Sequence, residues 1–278
     1  MPDNEPHQTS ATDPIGVFDS GIGGLTVVAA LREILPSETI FYIGDTARVP
    51  YGGKSRRTVE RYSIEIGGLL LAERAKIIVV ACNTASALAV PRMQGIFKVP
   101  VQGVVAPGAT AAVQITKNRR VGVIGTRATI ASGAYERAIQ VLAPDVEVFS
   151  APCPLLVPLI EEGLFDDTIT DQVVARYIRP LLDHQIDTLV LGCTHYPLLR
   201  TAIARAAGPA VQLVDSAHNC ALAVRDLLAS YNLAAPADRL GRLDVALTDN
   251  AEGFLRTAEK ALDLEIGEVE LRSVQSEP

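Results

Sequence analysis

Short apolar runs rich in β-branched residues alternate along this chain with segments whose apolar residues recur every three or four positions. The first pattern is typical of strands buried on both faces, and the second of amphipathic helices. We predict strands at 15–19, 39–43, 77–81, 99–105, 121–125, 146–149, 188–192, 211–214, 243–247 and 268–273. The helical spacing is clearest at Val59, Tyr62, Ile66, Leu69 and Leu70, and at Val173, Val174, Tyr177, Leu181 and Leu182. This alternation predicts an α/β fold with parallel sheets and helices on both faces.

Two pairs of these strand segments look like copies of each other. One pair is Ile77-Ile78-Val79-Val80-Ala81-Cys82-Asn83-Thr84 and Thr188-Leu189-Val190-Leu191-Gly192-Cys193-Thr194-His195, and the other is Ile15-Gly16-Val17-Phe18-Asp19-Ser20 and Val121-Gly122-Val123-Ile124-Gly125-Thr126. Asp19 lies 63 residues before Cys82, and Gly125 lies 68 residues before Cys193. Two echoes in the same order predict two similar α/β domains, with an active site in the cleft between them.

The repeat also suggests where the domains begin and end. We predict a disordered tail over 1–14, a first domain made of 15–106 plus 216–278, and a second domain over 107–215. A hinge is expected near Ala106-Pro107-Gly108, and a return crossing near Asp215-Ser216. The strand, helix and strand expected after Leu243 would then complete the first domain.

Composition narrows the class of protein. Hydrophobic residues make up 48% of the 278 residues and charged residues 21%, as in a globular domain. The formal net charge of −7 does not favour binding to the phosphates of a nucleic acid, so a nucleic-acid partner is not expected. No apolar run reaches the roughly 20 residues of a membrane span, and the polar start lacks the pattern of a signal peptide. We therefore expect a cytoplasmic protein with no membrane partner.

The cysteines are too few for a disulfide framework, and no Cys-x-x-Cys pair suggests a metal site. Cys82 and Cys193 each follow a predicted strand, where the next helix would begin. A helix N-terminus lowers the pKa of a thiol from about 8.5, so each could serve as thiolate or thiol. Cys153, between two prolines, and Cys220, in an apolar helical segment, are predicted to be core residues.

The carboxyl ends of parallel strands meet at one edge of a sheet, where ligands bind. Asp19-Ser20-Gly21, Cys82-Asn83-Thr84, Gly125-Thr126 and Cys193-Thr194-His195 all lie at such ends and outline one cleft. Asp19 could cap the following helix or receive an ammonium group. His195 could adjust the pKa of Cys193, bind substrate or be a structural histidine. From the sequence pattern alone, Glu161 is predicted to be a solvated side chain at a helix end.

Four segments carry a resemblance to a known family. They are Gly16-Val17-Phe18-Asp19-Ser20-Gly21-Ile22-Gly23-Gly24-Leu25-Thr26, Gly44-Asp45-Thr46-Ala47-Arg48-Val49-Pro50-Tyr51-Gly52, Ala81-Cys82-Asn83-Thr84-Ala85 and Leu191-Gly192-Cys193-Thr194-His195-Tyr196-Pro197-Leu198. From Pro14 to Val274 the chain resembles the glutamate racemases of the aspartate/glutamate racemase family. The Asp45–Gly52 segment discriminates best, because related aspartate and hydantoin racemases share the paired cysteines more than this loop.

The resemblance implies a cofactor-independent and metal-independent enzyme that interconverts L- and D-glutamate and supplies D-glutamate for peptidoglycan. It implies that Cys82 and Cys193 are the two acid/base residues, with Cys82 acting on D-glutamate and Cys193 on L-glutamate. The residues it implies for substrate binding are Asp19, Ser20, Tyr51, Gly52, Asn83, Thr84, Thr194 and His195. Asp19, Glu161 and His195 would support the acid/base chemistry or orient it, and we also expect a homodimer.

Three other functions stay open at this stage. A racemase of the same superfamily could act on aspartate or another small acid. A hydrolase could use Cys193 as nucleophile with His195, which would make Cys82 dispensable. A binding module for small acids is the third alternative, and it would not need matched thiols.

Overall fold

The computed structural model describes residues 9–249, 266 and 269–274 of the chain. It contains ten strands, and each of them overlaps a predicted one. They are β1 (Ile15–Asp19), β2 (Ile40–Gly44), β3 (Ile77–Val80), β4 (Val101–Gly103), β5 (Arg120–Gly125), β6 (Glu147–Pro152), β7 (Thr188–Gly192), β8 (Gln212–Asp215), β9 (Leu243–Leu247) and β10 (Val269–Leu271).

Helices connect the strands. The α-helices in the described residues are α1 (Leu25–Ile34), α2 (Arg56–Ala72), α3 (Asn83–Ile96), α4 (Val105–Ile115), α5 (Arg127–Ala131), α6 (Ala134–Leu142), α7 (Leu156–Glu161), α8 (Thr168–Leu182), α9 (Arg200–Ala207) and α10 (Ser216–Ser230). Short 3₁₀ turns lie at Ile22–Gly24, Thr46–Arg48, Tyr51–Gly53 and Tyr196–Leu199. The two sets of helically spaced apolar residues fall in α2 and α8, so both predicted helices are confirmed.

The strands form two parallel sheets. The first has the order β10-β9-β2-β1-β3-β4, and the second has the order β6-β5-β7-β8. In the first sheet Phe18 of β1 pairs with Ile43 of β2 and with Val80 of β3. In the second, Ile124 of β5 pairs with Leu191 of β7. Thus β1 and β3 are neighbours in one sheet as β5 and β7 are in the other, as the repeat in the sequence predicts.

Each sheet is buried on both faces, which is why its central strands are continuous apolar runs. In the first sheet, one face packs against α1 and α10 and the other against α2 and α3. In the second, one face packs against α4 and α6 and the other against α7, α8 and α9. The fold is therefore α/β with two similar domains, built on the six-stranded and the four-stranded sheet.

The chain returns to the first sheet after completing the second. Strand β9 pairs with β2, and β10 pairs with β9. The helix expected between them falls on residues that lie outside the described ones. The exact domain boundaries stay a prediction.

The two crossings between the sheets are both helical. The expected hinge at 106–108 lies in the first turn of α4, where Pro107 is tolerated because the amides of a first helical turn need no partner within the helix. The return crossing runs from Asp215 directly into α10, and the Asp215 carboxylate caps that helix by accepting from the Ala217 amide at 2.7 Å.

The start of the described chain is held against the first sheet. The buried Lys76 Nζ donates to the carbonyl oxygen of Ala11 at 2.6 Å and to the carboxylate of Glu38. The Glu38 carboxylate also accepts from the Ala235 amide at 2.7 Å. Of the predicted tail, residues 1–8 lie outside the described residues and 9–14 include these contacts. Within the described ranges, no helix has the length and apolar character that crossing a membrane requires.

Candidate active site

Cys82 and Cys193 lie at equivalent positions in the two sheets. Cys82 follows β3, and Cys193 follows β7. The two residues are only 5% and 6% exposed, and both line the same cavity between the sheets. The repeat therefore brings two thiols to one site.

That cavity has a volume of about 20 Å³, which is room for about one water molecule. Its lining consists of Ser20, Val49, Pro50, Tyr51, Gly52, Cys82, Asn83, Thr84, Thr126, Val157, Cys193, Thr194 and His195. Of the residues that the resemblance implies for the site, all except Asp19 and Glu161 are in this lining. The structure thus shows the site closed.

Asp19 lies just behind the lining. Its side chain accepts from the Thr194 hydroxyl at 3.3 Å and from the Gly21 amide at 3.0 Å. Burial raises the pKa of the Asp19 carboxyl, and this outweighs the opposing effects of His195 and of the hydrogen bonds. Asp19 is therefore not a simple helix cap, since it connects β1 to Thr194 of the other domain.

Glu161 is the predicted residue farthest from the cavity. It ends α7 and its side chain is 42% exposed. Its Oε1 lies 3.6 Å from Nε2 of His195, which is an ion-pair distance rather than a hydrogen bond. Glu161 also lines a neighbouring cavity of about 220 Å³, which shares Pro50, Gly52, Thr126 and Val157 with the site.

His195 lies between Cys193 and Glu161. Its Nδ1 is 3.9 Å from the Cys193 Sγ, and the residue is 3% exposed. Burial lowers the pKa of His195, but the interactions with Cys193 and Glu161 outweigh burial and raise it to about 10. At neutral pH the imidazole therefore carries a positive charge next to Cys193.

Cys82 has a different environment, and one expectation about it is wrong. Its Sγ accepts from the Ala85 amide at 3.5 Å, as expected of a thiol at a helix start. Burial, together with the negative charge of Asp19, nevertheless raises the pKa of the Cys82 thiol. One backbone donor does not compensate for a buried site next to a carboxylate.

The segment after Cys193 also differs from expectation. A 3₁₀ turn at Tyr196–Leu199 follows it, and α9 begins only at Arg200. Pro197 lies in the first turn of this 3₁₀ helix, where its missing amide is tolerated. Only Cys82 is thus at a helix N-terminus.

Comparison with known proteins decides the family. The family described as Asp/Glu/Hydantoin racemase matches residues 25–224. The chain belongs to this family. A glutamate racemase from Geobacter metallireducens is 46% identical over 263 residues, covering 95% of this chain and 97% of the relative. This chain is therefore an amino-acid racemase, which is an isomerase.

Solved structures of racemases have the same fold. A glutamate racemase isoform from Bacillus anthracis is 39% identical, with a TM-score of 0.90 over 96% of this chain and 98% of that one. The glutamate racemase from Francisella tularensis in complex with D-glutamate is 38% identical, with a TM-score of 0.89 over 95% of this chain and 98% of that one. These similarities confirm the two-domain α/β class.

The candidate site is also supported by residues that the sequence analysis did not name as site residues. Asp45 follows β2 and is fully buried. Its carboxylate accepts from the Tyr51 hydroxyl, from Nε of Arg48 at 2.7 Å and from the Thr248 hydroxyl at 2.9 Å. The rule that strand ends meet at one edge would have found Asp45. The network anchors the loop that carries Tyr51 and Gly52.

Hydroxyl groups also join the two domains beside the candidate site. The Thr84 Oγ1 lies 2.9 Å from the Thr126 Oγ1 and 3.2 Å from the Thr129 Oγ1, and the latter two are 2.9 Å apart. Thr126 was expected here because it directly follows β5, whereas nothing in the sequence singled out Thr129. The triangle fixes α3 against the start of α5.

Close approach of the domains depends on two glycines of the racemase fold. A Cβ on Gly23 would lie 2.4 Å from the Thr194 Oγ1 and 2.5 Å from the His195 Nδ1. A Cβ on Gly52 would lie 2.7 Å from the Thr126 Cβ. All three distances are far below normal contact, so any larger residue at either position would hold the site open. Among the described residues, no cluster of three or more His, Cys, Asp or Glu side chains could hold a metal ion.

Proposed function

We propose that this racemase interconverts L- and D-glutamate by a two-base mechanism in which Cys82 and Cys193 serve opposite faces of the substrate. The observation that carries the proposal is the closed cavity that both buried thiols line, each at the end of an equivalent strand. Inverting a stereocentre by proton transfer requires one group to remove the proton and another, on the other face, to return one. A pseudo-symmetric pair of thiols meets that requirement.

The proton balance is simple. For L-glutamate, the Cys193 thiolate takes the proton from Cα and becomes a thiol. The Cys82 thiol gives its proton to the opposite face of Cα and becomes a thiolate. In the reverse direction the two cysteines exchange roles, so no oxidant, metal or other cofactor is consumed.

The electrostatics of the site support this starting state. The raised pKa of Cys82 keeps it a thiol before substrate binds, and the charged His195 imidazolium lies next to Cys193. Glu161 lies behind His195 and supports its charge. Asp19 lies near Cys82, and its carboxylate accepts a hydrogen bond from Thr194, which lines the cavity. In this proposal the same carboxylate binds the ammonium group of the substrate.

Donors around the cavity would hold the two carboxylates of the substrate. In this proposal Ser20, Asn83, Thr84 and Thr194 supply side-chain groups, while Tyr51 and Gly52 supply the loop backbone. Fixed donors are most effective where water is excluded, because they need no reorganisation when charge develops at Cα. The closed cavity provides that exclusion.

Substrate entry requires the cavity to widen. A cavity of about 20 Å³ holds no amino acid, whereas the adjoining cavity of about 220 Å³ shares part of its wall. We propose that the substrate enters from that side and that the Tyr51–Gly53 turn and the two domains close over it.

The wider role in the proposal is the supply of D-glutamate for peptidoglycan in a bacterial cytoplasm by a homodimer. Glutamate is favoured over aspartate because the relatives with high identity are glutamate racemases and one solved relative binds D-glutamate. The Asp45–Gly52 loop of this chain, which discriminates glutamate racemases best, lines the site through Tyr51 and Gly52.

Chiral chromatography of purified enzyme with L-glutamate, D-glutamate and L-aspartate tests the function. We expect both glutamate enantiomers to reach equal amounts, with aspartate converted far more slowly. Dialysis against a chelator and treatment with a carbonyl reagent serve as controls, and neither should lower the rate. Faster conversion of aspartate would favour the other substrate, and full racemase activity of the Cys82→Ala variant would contradict the two-base mechanism.

A further inference from the structure

Tyr135 contacts both cysteine-bearing segments although it belongs to neither. It lies on α6 of the second domain and is 3% exposed. Its ring packs against Gly192, where an added Cβ would lie 3.2 Å from Cε2. Gly192 directly precedes Cys193. The other edge of the ring packs against Gly108 of α4 in the same way.

The Tyr135 hydroxyl reaches across to the first domain. It donates to the Asn83 Oδ1 at 2.6 Å, and Asn83 directly follows Cys82. Burial raises the pKa of Tyr135, while a hydrogen bond with the Ser216 side chain opposes that shift without overcoming it. The phenol therefore remains protonated, and its single proton goes to Asn83.

This bond determines which way the Asn83 amide faces. Because Oδ1 accepts from Tyr135, the NH₂ group must lie on the other side of the amide. The Asn83 Nδ2 is buried and has no hydrogen-bond partner among the described residues. Asn83 itself is 2% exposed and lines the cavity between the cysteines. A buried donor without a partner is costly, so a ligand that accepts from it is favoured.

We propose that Tyr135 is a positioning residue, which orients the Asn83 amide so that Nδ2 donates to a carboxylate of the amino-acid substrate. The proposal rests on the proposed function, since it assigns a role in binding the substrate of that reaction. Without the phenol proton, the amide can turn and present Oδ1 to the carboxylate, which would repel it. Tyr135 acts through Asn83 and does not itself line the cavity.

Kinetics of Tyr135→Phe test this assignment, because the change removes the hydroxyl and keeps the ring. Loss of an oriented donor should raise KM for both enantiomers by about ten-fold, while kcat changes by less than about three-fold. Tyr196→Phe is the matched control, since that buried tyrosine donates to the carbonyl oxygen of Cys153 at 2.9 Å and does not contact Asn83. Its KM should stay within about two-fold of wild type.

A double-mutant cycle separates positioning from general packing. In an Asn83→Ala background, Tyr135→Phe should change KM by less than about two-fold, because the group that it orients is gone. Asn83→Asp keeps an acceptor for Tyr135 but replaces the amide donor with an oxygen, and should raise KM at least as much as Tyr135→Phe. Calorimetric Kd values for D-glutamate should follow the same order.

The outcomes are distinct. If the KM of Tyr135→Phe matches that of Tyr196→Phe, or if its effect persists undiminished in the Asn83→Ala background, the positioning role is wrong. Failure of wild-type enzyme to racemise glutamate would instead refute the proposed function, and the calorimetric comparison would still test the orientation of Asn83.

Discussion

The two half-sites begin from the same sequence pattern and end in opposite electrostatic environments. Cys82 caps α3 and lies 3.8 Å from the Ser20 hydroxyl, with the Asp19 carboxylate close by. Cys193 precedes a 3₁₀ turn and lies 3.9 Å from the His195 imidazole. Each domain places a cysteine after an equivalent strand, but the side chains around the two cysteines differ.

This difference shows how a nearly symmetric site can surround two equivalent cysteines with opposite charges. A two-base racemase with two thiolates could remove a proton but would have none to give to the opposite face, and one with two thiols could give a proton but would have no base to remove one. Cys82 has an anionic neighbour in Asp19, whereas Cys193 has a cationic neighbour in His195, so the two equivalent thiols lie in opposite electrostatic surroundings. On this view, the polarity of the site comes from Asp19 and His195 rather than from the cysteines.

The largest expected effect comes from removing one thiol at a time. In heavy water, Cys82→Ala and Cys193→Ala should each lose racemisation by at least about 10²-fold, because each lacks one of the two proton-transfer groups. Each should still exchange the α-hydrogen of one enantiomer, and the two should differ in which one. Cys82→Ala keeps Cys193 and is expected to exchange L-glutamate.

Proton NMR of the Cα signal gives the readout for each enantiomer with each variant. Wild-type enzyme should incorporate deuterium into both. Exchange of the same enantiomer by both variants, or racemisation near the wild-type rate by either, would contradict two bases on opposite faces.

A smaller loss of activity is expected when the two domains are kept from closing at Gly52. Gly52→Ala places a methyl group 2.7 Å from the Thr126 Cβ, so the Tyr51 loop must retreat from the site. Overpacking of this kind costs about 1–3 kcal/mol, and we expect kcat/KM to fall by about ten-fold or more. Gly53→Ala is the matched control, because an added Cβ there meets nothing within 4 Å. Equal kinetics for the two variants would mean that closure at Thr126 is not required.

The charge on His195 should appear in the pH dependence of stability. Its folded-state pKa of about 10 lies above the unfolded value of about 6.5. A raised pKa gives a stabilisation that is complete below about pH 6.5 and is lost as pH rises to about 10. Urea denaturation of wild type and His195→Asn across this range measures it. The difference in unfolding free energy should shrink with rising pH, and a constant or growing difference would refute the charged imidazole.

The smallest effect should come from a cysteine outside the site. Cys220 is fully buried in α10 and packs in the core of the first sheet. Cys220→Ala removes one buried atom, so it should cost about 1 kcal/mol and lower Tm by roughly 2–4 °C. Steady-state kinetics should be unchanged. A clear loss of kcat/KM would contradict the prediction that Cys220 has a structural role only.

Local patterns explain most of what the sequence predicted. Apolar runs located all ten strands of the described residues, because strands buried on both faces need continuous apolar residues. The gathering of Ser20, Asn83 and Thr194 at one cavity followed from the meeting of parallel strand ends. These features depend on residues close together in sequence or on a general rule of topology.

Contacts between distant residues explain what was missed. Tyr135 and Asn83 are 52 positions apart, and Thr248 and Asp45 are 203 apart. No periodicity or motif in a single sequence joins such pairs. The direction of the Cys82 pKa was wrong for the same reason, since burial and the nearby Asp19 outweighed the local effect of the helix start.

The pairing of β9 with β2 has a consequence for how the molecule is made. A ribosome releases β1 to β4 first, then every strand of the four-stranded sheet, and only afterwards β9. The inserted domain can thus be complete while β2 still presents a bare edge, the kind of edge that invites wrong partners. Thr248, which bonds Asp45 behind Tyr51, arrives in the same late stretch. Both cysteines are therefore synthesised well before β9 and Thr248, which complete the first sheet and the support behind Tyr51.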